Sequence, residues 1–251
     1  KVEKEGYETV ELIENFLAID ADVVQEIALD LQKKPTQLKL YSDEPETQYL
    51  LNGITISDDA TNIYWGTSYV ITAVKNGFIK QTKPVMLSHF SEEHSLRFQL
   101  EKEKVVLEVA SNPATSEIYL NGKYHGTGLC HCEVEWGIPL QITVQREGYN
   151  PTQREMTPEI SDIEKGIVLS FNLKKKELNR QIQSTPEKAS VSINGNRKGE
   201  TPLSYDFTWG EPYQITLEKP GYKGQTKTVI VDETVSNPEF YLEKKETELR
   251  L

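Results

Sequence analysis

The sequence predicts an all-β protein: tandem small antiparallel β-sandwich domains in an elongated array. Three observations predict it. First, a Trp-Gly pair followed about a dozen residues later by a Gly-aromatic pair occurs whole three times, as Trp65-Gly66 with Gly77-Phe78, Trp136-Gly137 with Gly148-Tyr149, and Trp209-Gly210 with Gly221-Tyr222. Gly6-Tyr7 is a partial fourth copy without its Trp-Gly. All 3 tryptophans fall in this motif, and a rare residue type kept at one phase marks tandem copies of a single small unit. Second, apolar and polar residues alternate in short runs, which is the period of a half-buried strand. Third, the runs are punctuated by Gly, Pro, Asn and Asp, with no sustained helical stripe.

The repeat divides the 251 residues into units of about 70. Residues 1–34 read as the second half of a truncated repeat, 35–104, 105–176 and 177–246 as full repeats, and 247–251 as the start of a further strand or repeat. The sequence is thus expected to be an excerpt of a longer protein.

The first full repeat opens with the alternating Leu38-Lys39-Leu40-Tyr41. Tyr49-Leu50-Leu51 then runs into Asn52-Gly53, a pair that accepts the two positive φ angles of a type I′ hairpin turn. Tyr69, Ile71 and Ala73 alternate with Val70, Thr72 and Val74 before the Asn76-Gly77-Phe78 reversal, and Leu96 to Leu100 closes the unit. The second repeat keeps this order: Leu107 and Val109, Ile118 to Asn121-Gly122, Leu140 to Val144, then Ile167, Leu169, Phe171 and Leu173. The third does likewise, with Val191-Ser192-Ile193 before Asn194-Gly195, Tyr213, Ile215 and Leu217 before Gly221-Tyr222, and Phe240-Tyr241-Leu242 at the close. Short helical turns fit only Asp20 to Glu26 and Pro158 to Lys165. The linkers 32–36, 101–104, 174–177 and 243–247 are short and charged rather than Gly/Ser-rich, so free tumbling on long tethers is not expected.

At the third repeat, Pro186-Glu187-Lys188-Ala189, Asn194-Gly195, Gly199, Thr201-Pro202-Leu203 and Gly221-Tyr222 together resemble the PEGA domain, a bacterial and archaeal repeat. Lys188 stands where the family has Gly. The second repeat keeps Pro113 and Asn121-Gly122 but replaces Thr-Pro-Leu with Gly128-Leu129-Cys130; the first keeps Pro45-Glu46 and Asn52-Gly53. The resemblance implies a transthyretin-like or immunoglobulin-like sandwich. It also implies a scaffolding or protein-interaction role in the bacterial cell envelope, an extracytoplasmic location in the periplasm or at the cell surface, another envelope protein or assembly as partner, and no catalytic residues.

Composition narrows the alternatives. A net charge of -11 argues against nucleic acid as a partner, because binding phosphate needs clustered cations. No apolar run is long enough for a transmembrane helix. The 2 cysteines form no disulfide framework. Cys130-His131-Cys132, with His125 nearby, has zinc-ligand chemistry. On a strand, however, His131 points away from the two cysteines, which line up with Leu203 and Tyr205 of the third repeat and read as core residues. No metal, cofactor or catalytic residue is therefore assigned. Asp20-Ala21-Asp22 and Asp58-Asp59 lack the ligand spacing of a calcium loop. His89 and His94 have no nucleophile motif around them. Two readings of the tryptophans stand side by side: packing residues at the sandwich edge, with the Gly-aromatic pairs at the opposite end, or platforms of a carbohydrate-binding array for cell-wall or extracellular glycans.

Overall fold

A computed structural model describes residues 1–13 and 26–246. The chain divides into two compact units, Lys1–Val105 with Glu159–Glu164, and Val106–Pro158 with Lys165–Leu251. The Asp20-Ala21-Asp22 cluster and the helical turn expected at Asp20 to Glu26 fall on or against residues outside the described set.

Seven strands recur three times. The first set is β1 (Thr36–Ser42), β2 (Gln48–Leu51), β3 (Ile54–Ile56), β4 (Ala60–Ile63), β5 (Ser68–Val74), β6 (Gln81–Met86) and β7 (Glu93–Phe98). The second is β8 (Lys104–Asn112), β9 (Glu117–Leu120), β10 (Lys123–Thr127), β11 (Leu129–Glu135), β12 (Leu140–Gln145), β13 (Thr152–Met156) and β14 (Ile167–Asn172). The third is β15 (Glu177–Thr185), β16 (Ser190–Ile193), β17 (Asn196–Glu200), β18 (Leu203–Thr208), β19 (Pro212–Glu218), β20 (Gln225–Ile230) and β21 (Glu239–Tyr241). The one helical turn among the described residues, α1 (Asp162–Lys165), lies in the Pro158 to Lys165 segment where the sequence allows one.

Each set makes the same two sheets. The three-stranded sheets have the order β4-β1-β7, β11-β8-β14 and β18-β15-β21. The four-stranded sheets are β3-β2-β5-β6, β10-β9-β12-β13 and β17-β16-β19-β20. In the third set, Ile182, Phe207 and Phe240 from one sheet and Val191, Ile193, Ile215 and Leu217 from the other form one buried cluster, so the sheets pack face to face as a sandwich. The alternation seen in sequence is the alternation of burial. Ile167, Leu169 and Phe171 of β14 are buried, and Val168, Ser170 and Asn172 between them are exposed.

One pairing departs from the all-antiparallel expectation. First and last strands of each set run parallel: β1 with β7, β8 with β14, β15 with β21. A hairpin cannot join parallel neighbours. These strands are adjacent only because the chain has crossed both sheets between them. Their common direction means that the chain enters a sandwich at one end and leaves it at the other.

The Asn-Gly turns behave as their chemistry requires. Asn52 and Gly53 take φ of 49° and 85°, Asn121 and Gly122 47° and 77°, and Asn194 and Gly195 48° and 78°, the two positive angles of a type I′ turn. The asparagine also binds the next long strand twice. In the third repeat its amide donates to Gln214 O and its Oδ1 accepts from Gln214 N, both at 2.8 Å. The same double bond joins Asn52 to Val70 and Asn121 to Gln141. A side chain that supplies an acceptor while tolerating the left-handed backbone is what Asn offers here.

The family-like loop of the third repeat is tied together by Thr201, which is buried. Its Oγ1 accepts from Ala189 N at 3.1 Å and shares a hydrogen bond with Ser184 Oγ, whose hydroxyl lies 2.7 Å from Pro186 O. In the second repeat Gly128 takes this place, and a Cβ there would fall 2.1 Å from Ala114 O. Gly128 N donates to Ser116 O as Thr201 N donates to Ala189 O in the third repeat, and Ser111 N donates to Gly128 O.

Candidate functional site

The Trp-Gly pairs lie between the fourth and fifth strands of each sandwich, and the Gly-aromatic pairs between the fifth and sixth, at the other end of the fifth strand. Gly66, Gly137 and Gly210 have φ near 70° (71°, 73° and 69°). Each donates its amide to the chain just beyond the sixth strand: Leu87 O, Pro158 O and Val231 O, at 2.7, 2.8 and 2.8 Å. The glycine lets the chain turn back while satisfying a backbone donor.

At the other end, the Gly-aromatic turn is clipped to the charged linker that follows the sandwich. Tyr149 bridges Lys175. Asn150 N donates to Lys174 O at 2.9 Å, and Lys176 N to Gly148 O at 2.8 Å. Gly77-Phe78 makes the same clip with Lys102, through Ile79 N to Glu101 O and Glu103 N to Gly77 O. Gly221-Tyr222 makes it with Lys244, through Lys223 N to Glu243 O and Lys245 N to Gly221 O. So does Gly6-Tyr7 with Lys33, through Glu8 N to Gln32 O and Lys34 N to Gly6 O. The linkers are paired backbone, not tethers.

Trp209 completes a joint. Its amide donates to Lys176 O at 2.8 Å, so one chain of hydrogen bonds runs from Gly148 through the linker to Trp209. Its indole lies against Gly148 closely enough that a Cβ on Gly148 would sit 2.2 Å from Cε3 and 2.3 Å from Cδ2. The linker also reaches the third sandwich through two ion pairs, Lys175 with Glu211 and Lys176 with Glu233. Its hydrogen bond to Glu211 holds the Lys175 ammonium above the ordinary lysine range. Exposed pairs of this kind are weak and mainly set register.

In the other unit Trp65 occupies the same place over Gly6-Tyr7. Its Nε1 donates to Gly6 O at 3.3 Å, and its ring meets Tyr7 edge-on at 5.5 Å between centroids. Lys33 Nζ lies 4.4 Å from the ring centroid and donates to Trp65 O at 2.8 Å. Such a cation over an indole face contributes about 0.5–1 kcal/mol at a partly exposed site. The two ends read separately from sequence, a Trp at one edge and a Gly-aromatic pair at the other, meet at Trp209 with Gly148 and at Trp65 with Gly6-Tyr7.

This geometry bears on the glycan reading, which needs an open aromatic face. Lys33 covers one face of Trp65, and Trp209 is laid on Gly148; both indoles are half-buried, as is Trp136. The remaining motif aromatics differ in exposure. Phe78 is buried, with Lys75 Nζ 5.0 Å from its ring centroid, and Arg146 lies 5.1 Å from the ring of the half-buried Tyr149.

The histidines, cysteines and acids sort by position. Asp58 and Asp59 are exposed in the loop before β4. His89 is exposed and its Nδ1 lies 3.0 Å from Ser88 Oγ, and the exposed His94 is on β7. His131 Nε2 lies 2.9 Å from Glu108 Oε2, away from the cysteines, as strand alternation requires. Cys130 is buried and Cys132 half-buried. Burial, reinforced by the neighbouring Cys130, pushes the Cys132 thiol up to about 12. A thiol of this kind stays protonated at neutral pH and is a poor nucleophile. His125, which the sequence places only nearby, joins the two cysteines in space: among the described residues these form the one group of three metal-ligand side chains, with ligating atoms all within 4.8 Å of one another.

The described residues contain no helix long and apolar enough to cross a membrane. The PEGA domain family model matches residues 104–176 and 179–246, together more than half of the chain. No curated protein matches the sequence. Among solved structures, the Bacillus anthracis TIE protein aligns over 86% of this chain and 51% of its own, with 15% identity and a TM-score of 0.46. The major pilin subunit BcpA of Bacillus cereus aligns over 84% of this chain and 99% of its own, with 8% identity and a TM-score of 0.28. The chain spans about half the length of the TIE protein.

Proposed function

Because the chain belongs to the PEGA domain family, we propose that it is a non-enzymatic structural spacer and protein-interaction segment of a larger bacterial cell-envelope or surface protein, working outside the cytoplasm. The observation that carries this reading is the joint. In the second unit the paired linker and Trp209, seated on Gly148, tie the second and third sandwiches together. Parallel first and last strands send the chain through each sandwich from end to end, which suits a spacer.

On this reading residues 35–104 are a third, more divergent PEGA-like repeat, and residues 1–34 are the closing half of another. In support, β1–β7 repeat the strand order of the matched copies, and Gly6-Tyr7 makes the same clip to Lys33 as the three later turns make to their lysines. The partner is another envelope protein or assembly, which the exposed edge strands and loops of the sandwiches would meet. The carbohydrate-binding alternative is weaker at Trp65, where Lys33 covers one ring face, and at Trp209, whose indole is packed on Gly148.

Spin labels on β9 and β16, read by pulsed electron paramagnetic resonance, test the stiffness on which the proposal depends. A narrow distance distribution that broadens in Trp209→Ala is expected. A distribution that is broad already in the unaltered chain would overturn the spacer reading. Cross-linking in the native envelope with mass spectrometry tests the partner: a stoichiometric protein is expected, and recovery of polysaccharide alone would favour glycan binding.

A further inference from the structure

The His125, Cys130 and Cys132 cluster plays no part in the joints. Its origin is a β-bulge. Tyr124 opposes Tyr119 and Gly126 opposes Ile118, so His125 is an extra residue on β10 with no partner on β9. A bulge re-aims the residue it inserts. Gly126 follows at φ 152°, and a Cβ there would lie 4.0 Å from Cys130 Cβ, so its absence leaves space beside the first cysteine. Cys130 and Cys132 are two apart on β11 and share a face. They belong to the other sheet, and the bulge carries His125 across to them.

The third repeat is an internal comparison. It has the same bulge at Lys198, between Arg197 and Gly199, and Gly199 has φ 155°. There the three matching positions are Lys198, Leu203 and Tyr205, and Lys198 Nζ again comes over Tyr205, 5.9 Å from the ring centroid. Convergence of these positions is thus a property of the backbone. What distinguishes the second repeat is that all three hold metal-ligand side chains. Both of the 2 cysteines in the chain and one of its 4 histidines are there.

We propose that His125, Cys130 and Cys132 bind a thiophilic metal ion, zinc being the natural occupant, with a fourth coordination position left for water. Zn–S bonds of about 2.3 Å and Zn–N bonds of about 2.0–2.1 Å in a tetrahedron place neighbouring ligand atoms roughly 3.5–3.8 Å apart. Atoms already within 4.8 Å of one another need to close by roughly 1.3 Å or less to reach that spacing. Two sulfurs and an imidazole select soft or borderline ions and reject calcium and magnesium, which want oxygen. Balance is simple: the binding ion displaces the S–H proton of each cysteine to solvent, including that of Cys132, which stays protonated without it; neutral His125 gives a ring-nitrogen lone pair, and two thiolates neutralise the charge of Zn²⁺.

Reduced, metal-free full-length chain titrated with Co²⁺ and Zn²⁺ tests the proposal. One equivalent is expected to bind, with thiolate-to-cobalt charge-transfer absorption and the intense visible bands of tetrahedral cobalt, while Ca²⁺ gives no response. His125→Ala and Cys132→Ser should each weaken zinc binding by more than the ~10–100-fold typical of losing an outer-shell partner. His131→Ala, on the opposite face, should leave the affinity unchanged. Circular dichroism checks that each variant is folded, and if Cys132→Ser is not, the exposed His125→Ala carries the test. Binding well below one equivalent, an octahedral cobalt spectrum, or equal weakening by His131→Ala and His125→Ala would overturn the assignment.

Discussion

Adding one methyl group at Gly148 should break the joint between the second and third repeats. The matching glycine of the third repeat, Gly221, supplies the control. Both sit at positive φ, 76° and 83°. An L-residue in that region costs about 1–2 kcal/mol, partly offset by about 0.4–1 kcal/mol from the less flexible unfolded chain. At Gly221 a Cβ meets nothing within 4 Å, so Gly221→Ala should cost only the difference, at most about 1.6 kcal/mol. At Gly148 the same Cβ would lie 2.2 Å from Trp209 Cε3, well inside the ~3.5–4.0 Å of a carbon contact. The indole must withdraw. A tryptophan buries about 150–250 Å², and Trp209 is half-buried. Losing roughly 100 Å² at about 25 cal/mol per Å² comes to about 2.5 kcal/mol. Gly148→Ala should therefore exceed Gly221→Ala by about 2–3 kcal/mol. Urea unfolding gives the stabilities, and iodide quenching of Trp209, in a background with Trp65→Phe and Trp136→Phe, reports the ring. Equal destabilisation by the two variants, or an unchanged Trp209 in Gly148→Ala, would refute the reasoning.

Other perturbations follow from the same structure. Lys188, at φ 59°, stands where the family has Gly, so Lys188→Gly should raise stability by up to ~1 kcal/mol in urea melts. Thr201→Val strands the Ala189 amide and removes the bond to Ser184, which should cost about 2 kcal/mol by the same assay. Asp232 accepts from Thr234 Oγ1, Thr234 N and Val235 N at 2.6, 2.7 and 3.0 Å, and the Thr234 hydroxyl leads in holding its carboxyl below 3.8. A depressed folded value stabilises the native state above the unfolded value and is lost as pH falls through the folded one. Carboxyl NMR should show Asp232 titrating below 3.8 and rising toward it in Thr234→Val.

The sandwiches were legible because their core strands advertise themselves. Ile167, Leu169 and Phe171 alternate cleanly, and Asn194-Gly195 has the chemistry of its turn. The sixth strands were not legible: β13, Thr-Gln-Arg-Glu-Met, is exposed along nearly its whole length, so neither face carries an apolar signal for a period to reveal. The Trp-Gly and Gly-aromatic pairs were visible as a repeat, but not as partners. The contact joins Gly148 to Trp209, 61 residues later, and spacing within one repeat says nothing about a neighbour. His125 was hidden for a different reason. Strand alternation correctly sends His131 away from Cys130 and Cys132, but it also assigns His125 by a period that the bulge at Tyr124 and Gly126 interrupts. Gly126 was the available clue, since glycine inside a strand marks such bulges.

The most direct test of the joint is amide hydrogen exchange at Lys176 and Trp209. Lys176 N donates to Gly148 O and Trp209 N to Lys176 O, both at 2.8 Å, and these two bonds fix the linker to the repeats on either side. Residue-resolved exchange should show both amides protected nearly as well as the core strand β19, with protection of both falling together in Gly148→Ala. Exchange at the rate of an unstructured linker at either position would contradict a stiff joint and the spacer function built on it.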